Sequence, residues 1–293
     1  MEYVRKRLIQ LHHCRGIGWK TIYKMLKHDC TLEKIFHYTP HELHHYFQLP
    51  EKKAKLFFHD LQAIQSVNLI KRYEQKNIQT VTIFDTDYPF LLKQIYQPPF
   101  ILYCHGNRDL LKQKRMLSVV GTRNPSEYGK DVTKKLIKGL VEQKYVIISG
   151  FAKGIDGFAH RDADRFGGKT IAVLGSGLFH IYPKEHDTLF QMLAKRHLFV
   201  SEYPPDKRPA KHHFPERNRI IAGMSLGTLV IEGKERSGSL ITANFALQEG
   251  REVFAVPGPI TSATSRGTNL LIQQGAKLVL SVEDIIHELK LME

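Results

Sequence analysis

The residues with most chemical potential in this chain sit in glycine-containing loops that follow short apolar runs. Met116–Val120 leads into Gly121-Thr122-Arg123-Asn124-Pro125-Ser126, and Tyr145–Ile148 leads into Ser149-Gly150-Phe151-Ala152-Lys153-Gly154-Ile155-Asp156. In the first loop a glycine lets the backbone approach a ligand, an arginine offers a fork of donors suited to phosphate, and Ser126 is placed to cap a helix. Free amides at a helix start beside an arginine make a ready anion site. The same residues would also serve as a plain tight turn with its arginine in solvent. Gly175-Ser176-Gly177, Lys184 just after Tyr182-Pro183, and Arg217-Asn218-Arg219 extend the set. No Ser/His/Asp set is arranged among them, and the acids are few and flanked by Lys and Arg, as in Lys184-Glu185 and Glu216-Arg217. Glycines, hydroxyls and cations suit holding phosphates better than acid–base chemistry.

Three strings imitate other chemistries. His41-Glu42-Leu43-His44-His45 matches the zinc-protease pattern, but Pro40 and Pro50 confine its helix to barely two turns and no third ligand is placed. Ala163-Asp164-Arg165-Phe166-Gly167-Gly168-Lys169-Thr170 puts alanine where a P-loop needs glycine, and it leaves a helix for a strand, the reverse of a P-loop. Gly175-x-Gly177 has His180 where a dinucleotide fingerprint wants its third glycine. No metal and no cofactor is expected.

The elements that must position these loops follow from periodicity. Strands are predicted near 116–120, 145–149, 170–174, 198–202, 227–232, 252–256 and 277–280, and helices from near Ser126, Ile155, Lys184, Pro215, Ser237, Gly267 and Val282. Regular alternation with near-continuous apolar strands means an α/β, doubly wound, mainly parallel sheet, with ligands outside the carboxyl ends of the strands. Residues 76–115 add two strand candidates, 79–84 and 100–104. Residues 1–75 read as a small all-α domain. Its Cys14-Arg15-Gly16-Ile17-Gly18-Trp19-Lys20 resembles a helix-hairpin-helix turn, which could grip a DNA phosphate or only pack. The expected division is 1–75 and 76–293.

Composition bounds the partners. The 293 residues include 43 Lys and Arg against 29 Asp and Glu, a formal charge of +14. Residues 1–115 carry 19 basic and 10 acidic side chains and the remainder 24 and 19, so both parts are basic, which fits a polyanion partner. Three cysteines, Cys14, Cys30 and Cys104, are odd in number and lack metal spacing, and the charged N-terminus is unlike a signal peptide. No run approaches a membrane span, and a cytoplasmic location is expected.

With these residues assembled, the chain closely resembles the DprA/Smf family of DNA-processing proteins. The matching segments include S-V-V-G-T-R-N-P-S-E-Y-G, I-S-G-F-A-K-G-I-D-G-F-A-H, A-V-L-G-S-G-L-F-H-I-Y-P, F-P-E-R-N-R-I-I-A-G-M-S and V-P-G-P-I-T-S-A-T-S-R-G-T-N-L-L-I-Q-Q-G-A-K-L-V, in order across 116–280. The resemblance implies an extended Rossmann-like domain that binds single-stranded DNA, protects incoming strands in natural transformation and loads the RecA recombinase, displacing single-strand-binding protein. It implies no catalysis. Arg123 and Lys184 become the leading phosphate cations, with Gly121, Gly150, Gly175 and Gly177 allowing close approach and Thr122, Gly154 and Ser176 completing the nucleic-acid-binding set. Lys153, Arg217, Asn218 and Arg219 are weaker candidates, the two arginines being equally able to pair with Glu202 or Glu232. Residues 1–75 match only as the small helical, SAM-like domain that members often carry. The winged-helix domain common at the family's C-terminus is expected to be absent.

An alternative is enzymatic. Ser225–Glu232 is similar to the P-G-G-x-G-T-x-x-E loop of phosphoribohydrolases that cleave nucleoside monophosphates on a related fold. Here Met224-Ser225-Leu226 replaces P-G-G, and Glu232 falls one position late, which on a strand turns it to the other face. Finally, Leu270, Leu271 and Ile272 are consecutive and point around most of a helix, so at least one should face outward. Either the helix from Val282 covers it or a partner does. Because the family dimerises through this region, with the RecA contact close by, the resemblance implies a homodimer through Leu270, Leu271, Ile272 and Leu278.

Overall fold

The structure, a computed structural model, describes residues 2–290. The chain divides into two compact units, Met1–Thr86 with Pro99–Tyr103 and Asp87–Pro98 with Cys104–Glu293.

The first unit holds five helices, α1 (Glu2–His13), α2 (Trp19–His28), α3 (Pro40–Phe47), α4 (Glu51–Ala63) and α5 (Ser66–Glu74), then strand β1 (Ile78–Thr82). Strand β2 (Ile101–Gly106) begins in this unit and ends in the next. Apolar residues three or four apart turn one face of each helix inward: Leu8 and Leu11, Ile22 and Met25, Leu43 and Phe47, and Ala54, Phe57 and Leu61 are all buried. Thr39 and Glu42 close a reciprocal capping box at the start of α3, with Pro40 in the first turn. Glu42, the would-be catalytic acid of the zinc-protease string, is therefore a helix cap. The hairpin between α1 and α2 is anchored by Arg15, which donates to both carboxylate oxygens of Asp60 (2.8 and 2.7 Å). Gly16 has φ +84°, and a Cβ there would lie 2.9 Å from the Lys53 carbonyl oxygen, so this glycine serves close packing onto α4.

The compact unit extends past residue 75, the division expected from sequence. Arg5 of α1 donates to the Thr80 carbonyl and, at 3.0 Å, to its hydroxyl, so β1 stays with the helices that precede it. A loop boundary read from composition could not register that tie.

In the second unit α6 (Phe90–Lys93) precedes a regular alternation: β3 (Met116–Val120), α7 (Glu127–Glu142), β4 (Val146–Ser149), α8 (Ile155–Arg165), β5 (Lys169–Leu174), α9 (Asp187–Leu193), β6 (Leu198–Ser201), α10 (His213–Gly223), β7 (Gly227–Val230), α11 (Gly238–Gln248), β8 (Glu252–Ala255), α12 (Arg266–Gln273), β9 (Lys277–Leu278) and α13 (Val282–Lys290). The strands lie in the order β6-β5-β4-β3-β7-β8-β9, every neighbouring pair parallel. This is the expected doubly wound α/β sheet. β3, β4, β6 and β7 are buried at every position, as helices on both faces require.

From β3 the chain steps outward through β4 and β5 to β6, then crosses back to β7 on the other side of β3. That reversal opens a crevice beyond the carboxyl ends of the central strands, where ligands bind in such sheets. On one face Leu117, Val119, Ile137, Leu140, Ile147, Ile155 and Ala159 form the core that holds β3, β4, α7 and α8 in register. α13 closes it from outside: Val282 packs so tightly on Gly139 of α7 that a Cβ there would come within 3.0 Å.

Candidate nucleic-acid interface

The loops after β3, β4 and β7 and the first turns of α10 enclose a groove of about 650 Å³ at that crevice. A smaller pocket of about 50 Å³ lies between Arg123, Lys153, Gly175, Tyr182 and Phe214. Ser126 caps α7 as read from sequence, accepting from the Gly129 amide at 3.1 Å, and this fixes the loop before it. The Thr122 amide donates to the Glu232 carbonyl (2.8 Å), and the Thr122 carbonyl accepts from the Ile155 amide (3.1 Å), joining the loops after β3, β4 and β7. Gly154 adopts φ +76°, where a Cβ would stand 2.3 Å from the Thr122 carbonyl oxygen. Only glycine fits between the two loops.

Held in this way, Arg123 projects exposed into both cavities. The groove lining also carries Lys211, Lys234 and Arg236, all exposed. None of these four has a carboxylate partner among the described residues. The one carboxylate on the lining, Asp156, is buried beneath Arg217. Asp156 accepts from the Gly150 amide (3.1 Å), and Arg217 donates to the carbonyls of Gly150 and Val173. Burial raises the Asp156 carboxyl above its usual range and lowers Arg217 to about 10, each countered by the other's charge. The groove wall therefore presents unpaired positive charge in a concave site, which concentrates an anion's field. Tyr182 and Phe214 stand side by side at the pocket, ring centroids 5.3 Å apart, with Tyr182 46% exposed. Aromatic faces beside a cationic groove are the equipment for stacking unpaired bases.

The structure divides the sequence-predicted residues into those that face the groove and those that build it. Gly121, Thr122 and Arg123 line it, and Gly150, Lys153 and Gly175 line the pocket. Gly121 and Gly150 owe their glycine identity to packing: a Cβ would meet Ile155 at 2.6 Å in one case and Arg217 at 2.6 Å in the other. Lys153 is paired with Glu185 at 2.6 Å on the surface. Arg217 and Asn218 line the groove but are buried and tied internally, Asn218 accepting from Arg217 (3.2 Å) and donating to the Gly238 carbonyl (3.2 Å). Arg219 turns away and pairs with Glu202, as the sequence allowed. Ser176 is buried and donates to the His180 carbonyl (2.6 Å), and Gly177 lies where a Cβ would be 2.1 Å from the Pro204 carbonyl oxygen. Lys184 is exposed, at the start of a short 3-10 turn, and lines neither cavity.

Sequence reasoning passed over Lys211, Lys234, Arg236, Tyr182 and Phe214. Their signal was position: Tyr182, Lys211, Lys234 and Arg236 lie between a strand's carboxyl end and the start of the next helix, and Phe214 lies in the first turn of α10. Glu232 is held within the fold. It is buried, accepts from the Ser126 amide (2.9 Å), the Ser126 hydroxyl (2.6 Å) and the Thr264 hydroxyl (2.9 Å), and sits beneath α7.

The three consecutive apolar residues lie in α12. Leu271 is buried, Leu270 and Ile272 are half-buried, and α13 packs on α7. On the outermost strand Leu278 is 39% exposed, and Leu280 beyond it 70%.

The family model of DNA recombination-mediator protein A matches residues 79–290. The chain belongs to this family. DNA processing protein DprA of Bacillus subtilis is 48% identical over 221 residues, covering 75% of this chain and 74% of that one. DprA of Streptococcus pneumoniae is 48% identical over 225 residues, 77% and 78% of the two chains. The X-ray structure of DprA from S. pneumoniae superimposes with a TM-score of 0.85 at 40% identity, over 97% of each chain. A DprA structure from Helicobacter pylori, described for its single-stranded DNA binding mode, gives a TM-score of 0.66 at 30% identity over 72% of this chain and 95% of that one. The DprA family match thus covers the whole alternating α/β region.

Proposed function

We propose that this protein binds single-stranded DNA in the groove at the carboxyl edge of its sheet. The carrying observation is the unpaired cation set Arg123, Lys211, Lys234 and Arg236 around a concave site whose one lining carboxylate is buried under Arg217. The single-stranded DNA binding of the H. pylori relative supports the choice of ligand. Phosphates seat on the rim cations, and bases that leave the stack meet Tyr182 and Phe214. Lys184 extends the cationic surface for the same strand. In this role the protein acts without catalysis in the cytoplasm, shields incoming DNA and hands it to RecA in place of single-strand-binding protein. The N-terminal helical region and the sheet region that follows act as separate functional parts. The strand is shared by a twofold dimer formed through Leu270, Ile272 and Leu278.

The test is a titration of labelled oligo(dT), with duplex and nucleoside monophosphate as parallel ligands. Arg123→Glu and Arg236→Glu are each expected to weaken single-strand binding at least about tenfold, or 1.4 kcal/mol. Affinity should fall with added salt as condensed counterions cease to drive binding. Wild-type affinity in both variants at the same salt would remove the groove from consideration.

A further inference from the structure

Within the helical unit, α2 reads Trp19-Lys20-Thr21-Ile22-Tyr23-Lys24-Met25-Leu26-Lys27-His28 and contains no acidic residue. Ile22 and Met25 are buried, while Lys20, Tyr23, Lys24, Lys27 and His28 are exposed. Those five positions are spaced by one, three or four residues and form one outward stripe. Beneath it lies a column of rings. Phe100 stacks on Trp19 (5.2 Å, 17°), and Trp19 stacks on Tyr23 (5.0 Å, 16°), which is 41% exposed. The Lys27 ammonium stands over the Tyr23 ring, 4.8 Å from its centroid, and the exposed Lys24 donates to the Gln48 side chain at 2.9 Å. The stripe continues past His28, whose ring lies 5.4 Å from that of the half-exposed Tyr46. Asp29, the acid nearest in sequence, is turned inward, accepting from the amides of Thr31 and Lys34 at 2.9 Å each.

The outer end of the ladder is met by the long, flexible Lys27 side chain, which a stacking base displaces toward its own phosphate, and Lys20, Lys24 and Lys27 place three like charges on one stripe. We propose that this face of α2 is a second binding surface for single-stranded nucleic acid: Lys20, Lys24 and Lys27 take phosphates, and an unpaired base extends the Phe100–Trp19–Tyr23 column. An exposed flat ring favours an unpaired base over a duplex, whose bases are already stacked, and over an acidic peptide, which would use the lysines and leave the ring idle. The choice of ligand follows the proposed function, but the surface is independent of the groove.

Trp19 is the single tryptophan of the chain, so its emission reports this face directly. Oligo(dT) titrated into the full-length protein should quench Trp19 saturably, while anisotropy of a labelled strand reads total binding. Lys20→Glu with Lys27→Glu should shift the quenching curve at least about tenfold to higher DNA, and Tyr23→Leu should reduce its amplitude. All three side chains are exposed, so circular dichroism of the variants should match wild type. Arg123→Glu should weaken the anisotropy signal while quenching persists at higher DNA. Anisotropy that rises with Trp19 emission unchanged would overturn the second surface and leave the groove standing; neither signal moving would overturn both. Equal quenching by a duplex or by poly-glutamate, or quenching untouched in the lysine variant, would also defeat the proposal.

Discussion

At the scale of single residues, two arginines of one groove do opposite work. Arg123 is exposed and without a carboxylate partner among the described residues, whereas Arg217 is 5% exposed and fastened to two carbonyls above Asp156. Arg217→Ala leaves a buried carboxylate uncompensated, a change that typically costs about 3–5 kcal/mol. A lowered denaturation midpoint is expected, whereas Arg123→Glu should leave the midpoint unchanged and alter only DNA affinity. Urea melts of the two variants separate the roles; equal stability loss in both would contradict the division drawn from burial. Gly154→Ala should also destabilise, because alanine is strained at φ +76° and its Cβ meets the Thr122 carbonyl.

At the scale of elements, two buried polar groups hold helices to the sheet. Glu232 receives three hydrogen bonds and fixes the start of α7. Replacing it by Gln keeps its shape but removes charge assistance and one acceptor, so a loss of about 1–3 kcal/mol in unfolding free energy is expected. Nucleoside monophosphate turnover that disappears in the same variant would revive the enzymatic alternative. His160 of α8 hydrogen-bonds the Thr170 hydroxyl of β5 at 2.6 Å and is fully buried. Burial first, then the nearby His197, His186 and Arg217, lower its pKa from 6.5 to about 3. The unfolded chain therefore binds a proton that the folded chain refuses between pH 6.5 and 3. Stability should accordingly be full above pH 6.5 and decline as pH falls through that window. Urea midpoints at pH 7.5 and 5.0 measure the slope, and His160→Gln should flatten it. An unchanged slope would assign the acid sensitivity elsewhere.

At the scale of the whole molecule, the outer edge of the sheet bears on assembly. β9 is a two-residue outermost strand with exposed Leu278, and α12 before it carries half-buried Leu270 and Ile272. An open strand edge with an exposed leucine is a template for a second copy, and joining two grooves rigidly would raise the effective concentration of one for a strand held by the other. Light scattering is expected to give twice the monomer mass, and Leu278→Glu to give monomers that bind single strands weakly and lose cooperativity. A wild-type monomer at tens of micromolar would exclude this assembly.

What the sequence determined by itself was everything that repeats locally. The buried strands announced themselves as apolar runs, and the helix starts at Ser126 and Ile155 were legible from a cap residue and a glycine turn. Alternation then dictated a parallel sheet with its ligand edge at the carboxyl ends. The family's motifs singled out Arg123, which stands exposed on the groove lining. The tertiary structure alone decided which cation faces solvent and which is consumed. Arg217, Asn218 and Arg219 are adjacent in sequence, yet on a helix they point in different directions, toward Asp156, Gly238 and Glu202. Lys211, Lys234 and Arg236 come from two loops distant in sequence and line one groove only because the chain crosses back beside β3. Charge is a property of residue type, and so readable in sequence; whether that charge stays available depends on the partner opposite it, which long-range packing supplies.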